Sequence, residues 1–306
     1  MVCCIHPTCY CCGFIGGLLG RGFLSIRLHE YKMLSRYVIS LLGCDWLLIV
    51  HVKGNYVIVA TGMLYQNGRQ TEIVDLNNAN FKCTGLTPFP KEVAYAAGGI
   101  VQGIPIICGG ANSTIDDANK NETITAVYND CYQFKNRSWY QMERGLDVPK
   151  FNLGIGNLVV NDLLLIHGGQ KNEVDFVNSS QWIGLNNHSS PFDSFPVSGH
   201  CNMQINQTHF MVTGGTIPDR NNGKPEATDL TYFCPINSFK KCILGPPLNH
   251  RRRAHSCYTS NFKGKQYLNV VGGYITTSSS ESTDQEVEYL VLSEITKGWQ
   301  LSKYFF

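Results

Sequence analysis

Histidines and cysteines are the side chains of this sequence best suited to chemistry. His200 and His255 each open a short strand-like run, "HCNMQIN" and "HSCYTSNF", ahead of a hydrophobic run that ends in two glycines. Two imidazoles at equivalent positions suggest a metal site, but a repeated local structure explains them equally well. The motifs G-x-S-x-G and H-E-x-x-H and a paired-carboxylate motif are missing. We therefore expect no catalytic residue, no metal ligand and no cofactor, hence a protein that is not an enzyme.

The 13 cysteines are unevenly distributed, with six in the first 44 residues. Such usage is high for a cytosolic protein and ordinary in an oxidising compartment. Two pairs sit on strands that we expect to be neighbours, which makes them candidate disulfides. These pairs are Cys108 with Cys131 and Cys234 with Cys242. Three other cysteines of the same region stay unassigned: Cys83, Cys201 and Cys257.

Six N-x-S/T sequons mark candidate N-glycosylation sites. They are Asn112, Asn121, Asn136, Asn178, Asn187 and Asn206. Turns rich in Asn, Ser and Thr produce the same triplets without any glycan. Together with the cysteines, the sequons favour a secreted, extracellular glycoprotein, and a cytoplasmic location is the alternative.

The first 55 residues form a cysteine-rich and apolar segment, distinct from residues 56–306. Within 33–54, a basic residue precedes an apolar run, which is the layout of a secretory signal. A signal begins at the initiator, so Met33 is a candidate start. The alternative is that 46–52 form a buried first strand. The run is short for a membrane span, which needs roughly 20 apolar residues, so we predict no firm transmembrane segment.

Charge and composition exclude some classes of protein. The net charge is +2 and charged residues make up only 16%, so bulk electrostatics do not favour nucleic acid. The run Arg251–Arg253 lacks interleaved aromatic residues, so it does not suggest a nucleic-acid site either. The 30 glycines, with 15 Tyr and 15 Phe, suit strands joined by tight turns.

Five hydrophobic runs stop on glycine, and this repeat organises residues 56–306. Four end in a pair and the first in a single residue: Gly62, Gly109 and Gly110, Gly168 and Gly169, Gly214 and Gly215, Gly272 and Gly273. A strand-like run begins 14 residues upstream of the first three pairs and 17 upstream of the fourth, in the alignment that equates Tyr95, Gly154, His200 and His255. Downstream comes a polar loop and another strand, "EVDFV" (173–177) in the third unit. Trp139, Trp182 and Trp299 then close three of the units.

Four strands per unit, repeating every 45–60 residues or so, are the signature of a β-propeller blade. A helical repeat is disfavoured because the runs are short, β-branched and glycine-terminated. We expect the paired glycines to adopt positive φ and to allow neighbouring backbones to approach closely. No helix is expected after them, so they are not phosphate loops.

These features resemble the kelch-repeat propeller family. The resemblance is carried by the glycine pairs, by Tyr132 seven residues before Trp139, and by "RRRAHSCYT" (251–259). It implies an all-β, kelch-type β-propeller with five recognisable four-stranded blades, as a five-bladed or an incomplete six-bladed ring.

The resemblance also implies a function. We expect a non-enzymatic module that binds a protein or glycan ligand at a loop face, through loops 111–129 and 216–228 first. One alternative is an intracellular kelch adaptor of the ubiquitin-ligase type, although 1–55 do not resemble the BTB domain of such proteins. A propeller oxidase or a sugar-processing enzyme is the other.

Overall fold

The fold was analysed in a computed structural model that describes most of the chain from residue 48 onward. The described residues are 48–52, 56–61, 69–75, 83–115, 122–154, 158–219, 223–276, 281–283 and 287–302. They form β-strands and, apart from two 3-10 turns at Phe239–Lys241 and Leu292–Lys297, no helix. The prediction of an all-β protein is confirmed.

Within these residues, five four-stranded antiparallel sheets follow one another along the chain. Sheet 1 contains β1 (Leu48–Val52), β2 (Tyr56–Ala60), β3 (Thr71–Asp75) and β4 (Cys83–Gly85). Sheet 2 contains β5 (Ala97–Val101) and β6 (Ile104–Cys108), then, after a ribbon of β7 (Ala111–Ile115) and β8 (Glu122–Val127), β9 (Cys131–Lys135) and β10 (Ser138–Gln141). Sheet 3 contains β11 (Val159–Val160), β12 (Leu163–His167), β13 (Ser179–Ile183) and β14 (Phe192–Asp193).

Sheets 4 and 5 repeat this plan, with ribbons inserted after the second strand. Sheet 4 contains β15 (Cys201–Gln204) and β16 (His209–Thr213), then, after a ribbon of β17 (Thr216–Pro218) and β18 (Pro225–Ala227), β19 (Thr231–Pro235) and β20 (Ile243–Leu244). A ribbon of β21 (Arg252–Arg253), β24 (Tyr274–Thr276) and β25 (Glu281–Thr283) accompanies sheet 5, which contains β22 (Ser256–Phe262), β23 (Lys265–Val271), β26 (Val287–Val291) and β27 (Gln300–Ser302).

Consecutive sheets pack face to face, which explains why the second strand of each sheet is apolar on both faces. Ile106 of sheet 2 shares a core with Leu164 and Ile166 of sheet 3. Similar cores join sheets 1 and 2, sheets 3 and 4, and sheets 4 and 5. A sheet covered on both sides needs near-continuous hydrophobic strands rather than alternating ones.

The strand β1 contains the end of the N-terminal apolar run. Leu48–Val52 pairs antiparallel with Tyr56–Ala60 as the first strand of sheet 1. Residues on the two sides of the predicted boundary between 55 and 56 therefore pair within one sheet. The rest of the candidate signal, 33–47, and the N-terminal cysteines lie outside the described residues.

The third unit differs from the sequence prediction. Residues 173–177 form a bend and loop, and the third strand of sheet 3 is Ser179–Ile183 instead. Trp182 lies within that strand, opposite Leu165, so it does not close the unit. Trp139 lies in the fourth strand of sheet 2 and Trp299 directly precedes that of sheet 5. The segment "EVDF" was predicted as a strand because its acidic and apolar residues alternate, but its side chains are mostly exposed.

The backbone also corrects, by one or two residues, the predicted alignment of the first strand of each sheet, which we call the inner strand. The residues before these strands with positive φ are Tyr95 (61°), Asn152 (54°), Gly199 (54°) and Ala254 (54°). Consecutive sheets are linked there by hydrogen bonds from Leu153 N to Tyr95 O (3.2 Å), Gly199 N to Asn152 O (2.8 Å) and Ala254 N to Gly199 O (2.7 Å). His200 and His255 are equivalent, as predicted, but Tyr95 and Gly154 do not share their position.

The glycine pairs allow two different close approaches, and every paired glycine has a positive φ. A Cβ on Gly168, the first of its pair, would lie 2.1 Å from the carbonyl oxygen of Val197, which leads into the next sheet. A Cβ on Gly215, a second glycine, would lie 2.6 Å from Ser198 O, at the start of its own sheet. The first glycine therefore serves packing between sheets, and the second serves packing within one. Gly62 lies outside the described residues.

Tyr132 and Trp139 lie on one face of sheet 2, where both rings contact Phe89. The ring centroids are 4.9 Å and 5.0 Å from that of Phe89. The turn between them, Asn136–Arg137, has positive φ at both residues, which is the two-residue hairpin geometry that Asn favours. The Trp139 indole donates to Thr71 Oγ1 of sheet 1 at 3.0 Å, so this aromatic group locks two sheets together.

Three disulfides occur among the described residues. Cys108–Cys131 and Cys234–Cys242, the two pairs named from the sequence, each join neighbouring strands or segments of one sheet. The third, Cys201–Cys257, was not foreseen, because its cysteines lie in different repeats. It connects β15 of sheet 4 to β22 of sheet 5. Its separation of 56 residues is the longest of the three, so it constrains the unfolded chain most.

Candidate functional site

A cavity of about 700 Å³ lies at the end of the sheets where the glycine pairs are found. We call this end of the sheets the glycine-pair end. The opposite end, which contains the β5–β6 and β15–β16 turns, we call the turn end. The volume falls in the range of roughly 300–1,000 Å³ that is usual for ligand sites.

The cavity walls come from equivalent places in four consecutive sheets. Gln170, Thr216 and Tyr274 each directly follow a glycine pair. Phe151 is paired with Gln170, and Arg253 is paired with Tyr274. Phe151 and Arg253 each lie shortly before the inner strand of the same sheet. The remaining walls are Tyr95, Glu122, Ile124, Asn152, Glu173, Pro225, Glu226, Ala227 and Thr276. Sequence reasoning named the two loops but missed the residues before the inner strands, although their fixed offset from the glycines was visible.

Amide and hydroxyl groups form a hydrogen-bonded floor. Asn152 Nδ2 donates to Gln170 Oε1 at 2.7 Å, and Ser198 Oγ donates to the same oxygen at 3.1 Å. Gln170 Nε2 donates to the carbonyl of Glu173 at 3.1 Å. Gln170 is 4% exposed and satisfied at both ends of its amide. These hydrogen bonds hold the Gln170 amide in place before a ligand arrives, whereas Asn152 Oδ1 is buried and accepts no hydrogen bond from a described residue.

Aromatic and charged groups form the rest of the wall. The Tyr95 and Phe151 rings meet edge to face with centroids 6.0 Å apart. The Arg253 guanidinium lies over the Tyr274 ring at 5.0 Å. The cavity thus combines apolar faces with fixed hydrogen-bonding groups, the usual composition of a binding site.

The two loops predicted as first contacts both reach this cavity. Loop 111–129 contains the ribbon β7–β8, and loop 216–228 contains the ribbon β17–β18. Glu122 and Ile124 come from the first ribbon, and Glu226 and Ala227 from the second. Both ribbons follow glycine pairs, so they rise from the same end.

Three of the six candidate glycosylation sites lie at the end opposite the cavity. Asn136, Asn187 and Asn206 are exposed in loops at the turn end, and Asn178 is exposed just before β13. Asn112 is half-buried on β7, and Asn121 lies outside the described residues. No described sequon asparagine lines the cavity.

The histidines singled out by the sequence are packing residues. His200 and His255 are 0% exposed, and a third, His167, is 1% exposed. The rings of His167 and His200 are 4.7 Å apart, and His255 shares a hydrogen bond of 2.9 Å with Thr213 Oγ1. Burial lowers the pKa of all three imidazoles, that of His200 to about 3, so they are neutral at pH 7. Across the described part of the chain, no group of His, Cys, Asp or Glu is arranged to hold a metal ion.

Two buried cations occupy equivalent places before the inner strands of sheets 3 and 5. The Arg252–Glu288 ion pair is fully buried, with Nη2 and Oε1 2.6 Å apart. Lys150 is 2% exposed, and its ammonium donates only to the Ser179 carbonyl, at 3.2 Å. Burial lowers the pKa of Lys150 to about 8, and nearby Asp147 opposes the shift. Gln181, opposite Ile166, holds the position that Glu288 holds opposite Val270.

Replacing Gln181 with Glu gives Lys150 a buried partner but removes the hydrogen bond that Gln181 Nε2 donates to the Ser189 carbonyl at 3.2 Å. The expected result is a favourable coupling of about 1–3 kcal/mol between the introduced carboxylate and Lys150 at pH 7. The same change in a Lys150→Met background is expected to destabilise, since the new carboxylate would be buried without a cation. Urea unfolding of the four proteins of this cycle measures the coupling. A coupling near zero would mean that the two side chains do not interact.

Comparisons with known proteins identify no family. No protein-family model matches the chain, and no curated protein matches it. Among solved structures, one described as "Structure of YjhT" aligns with 85% of this chain and 98% of its own, at 10% identity and a TM-score of 0.47. In the part of the chain that the structure describes, no helix is long and apolar enough to cross a membrane.

Proposed function

We propose that the chain is a kelch-type β-propeller with sheets 1 to 5 as its blades. Support comes from the repeated strand order, the face-to-face packing of consecutive sheets, and the hydrogen bonds that join their inner ends. Those hydrogen bonds run from sheet 2 to sheet 5 through Tyr95, Asn152, Gly199 and Ala254, as expected near a central axis.

Burial of the two outermost faces supports closure of the ring. On sheet 5, Tyr258, Val271 and Val287 form a cluster on the face directed away from sheet 4, and each is at most 2% exposed. On sheet 1, Glu72 points away from sheet 2 and is 2% exposed, and burial raises the pKa of its carboxyl. A five-bladed ring in which these two faces meet would account for both observations.

The function that we propose is ligand binding at the glycine-pair end, by a secreted, extracellular protein. The single observation that carries it is the cavity lined by four consecutive sheets. A propeller scaffold holds such a cavity rigidly while its loops vary. The three disulfides are compatible with an oxidising compartment. Glycans on the exposed sequons of the turn end would leave the cavity accessible.

The first test is secretion. The full chain expressed in animal cells is expected in the medium, and an N-glycosidase is expected to lower its apparent mass by several glycans. Protein that stays in the lysate without a mass shift would contradict the extracellular location and favour the intracellular adaptor.

The second test is binding of the purified protein to panels of oligosaccharides and peptides. Thr276 lines the cavity from β24, and Thr276→Trp is expected to weaken binding about tenfold or more by filling it. Gln207→Trp is the matched control, an exposed position in the β15–β16 turn at the other end. Equal effects of the two variants would place the ligand elsewhere.

A further inference from the structure

The charges around the cavity are unbalanced. Three carboxylates line it, each from the segment after a different glycine pair: Glu122 on β8, Glu173 in the loop before β13, and Glu226 on β18. Arg253 is the one cation among the lining residues, and it comes from the side of sheet 5.

Hydrogen bonds and ion pairs compensate these carboxylates only in part. Glu226 is paired with the Arg251 guanidinium. Glu122 accepts a hydrogen bond from the Tyr95 hydroxyl, which is neutral and leaves its charge in place. The Glu173 side chain is exposed, and no described residue donates to its carboxylate. Among the described residues, two carboxylates therefore face the cavity from sheets 2 and 3 without an ion-pair partner.

Aromatic rings lie beside these charges. Tyr95 and Phe151, from the same two sheets, line the cavity and are 7% and 6% exposed. A ring face attracts a cation most strongly where water is excluded, and adjacent carboxylates add to that attraction. Carboxylates combined with aromatic faces are suited to an ammonium or guanidinium group.

We propose that the cavity binds an alkylammonium or guanidinium group, on the side of sheets 2 and 3, carried by Lys or Arg of a partner polypeptide or by a free polyamine. The cavity volume of about 700 Å³ exceeds that of one side chain, so the ligand extends beyond its charged group. This inference rests on the proposed function, because it names the ligand of the same cavity.

The probe is a fluorescein-labelled octapeptide of alternating Lys and Gly, compared with the same peptide carrying Nε-acetyl-lysine. Fluorescence anisotropy at low and physiological salt gives both dissociation constants. The lysine peptide is expected to bind about tenfold or more tightly than its acetylated form, and more weakly as salt rises. Competition with spermine distinguishes the source, since a polyamine site prefers spermine and a polypeptide site prefers the peptide.

Two charge-matched variants locate the interaction. Glu173→Gln removes a carboxylate at the cavity and is expected to weaken binding of the lysine peptide about three- to tenfold. Asp162→Asn removes one charge in the exposed β11–β12 turn at the turn end, where the φ of 60° suits Asn equally well. It is expected to leave the dissociation constant unchanged.

The inference is overturned if the lysine peptide does not bind, if acetylation makes no difference, or if the two variants weaken binding equally. The proposed function is judged separately. A neutral ligand from the panels whose binding is lost in Thr276→Trp would leave the cavity as the site while removing the cation from it.

Discussion

Acidification from about pH 7.5 to about pH 5 is expected to lower the free energy of unfolding by about 2 kcal/mol or more. The cause is the burial of His167, His200 and His255, which lowers their pKa values below the usual 6.5. Nearby Lys150 further lowers the pKa values of His200 and His167, and nearby Arg252 further lowers that of His255.

The sign follows from which state binds the protons. The unfolded chain protonates each imidazole near pH 6.5, whereas the folded chain keeps His200 neutral to about pH 3. Stability is therefore complete above pH 6.5 and is lost as the pH falls. His200 alone contributes about 2 kcal/mol by pH 5, and His167 and His255 act in the same direction, which is large against a total of about 5–15 kcal/mol for a typical protein. Urea unfolding across this pH range measures the loss.

A single substitution separates the contribution of His167 to this pH dependence from those of the other two histidines. His167 packs among Phe195, His200 and Phe239, so His167→Phe preserves an aromatic contact and removes one titrating group. Its loss of stability over the same pH range is expected to be smaller than that of the unmodified protein. His209→Gln, at an exposed position, serves as the control and should behave like the unmodified protein. A stability independent of pH between 6.5 and 5 would contradict the burial of these imidazoles in solution.

Local chemistry determined what the sequence could predict of the fold. Hydrophobic runs that end in glycine marked the second strand of sheets 2 to 5 because those strands are covered on both faces. Sheet 3 was misassigned, since "EVDFV" alternates like a strand but lies in an exposed bend, while "SSQWI" carries the pairing. Period-two alternation reports half-burial, and a strand buried on both faces does not show it.

The candidate site was less predictable because its residues come from different repeats. Loops 111–129 and 216–228 were recognised by length and polarity. Gln170 and Arg253 gave no such signal, since they are single positions whose side chains meet only when the sheets assemble. The Cys201–Cys257 disulfide was missed for the same reason, whereas Cys108–Cys131 joins directly paired positions of neighbouring strands.

Replacing Gly168 with Ala is expected to cost about 4 kcal/mol or more, because two penalties coincide. The φ of 58° disfavours any Cβ by about 1–2 kcal/mol. That Cβ would also lie 2.1 Å from the carbonyl oxygen of Val197, on the chain leading into sheet 4. The oxygen cannot simply retreat, since it accepts the Gly169 N–H at 2.8 Å and Val197 is 2% exposed. Relief of the contact therefore requires sheets 3 and 4 to separate.

Gly103→Ala separates the two penalties. Gly103 lies in the β5–β6 turn with a φ of 77°, and a Cβ there would meet nothing within 4 Å. Its replacement is expected to cost only about 1–2 kcal/mol, the penalty for positive φ alone. Urea unfolding of both variants beside the unmodified protein gives the difference. An equal cost at the two sites would mean that the glycine pairs serve backbone conformation only. A much larger cost at Gly168 would mean that they set the distance between neighbouring sheets, which requires a residue without a side chain at every such junction.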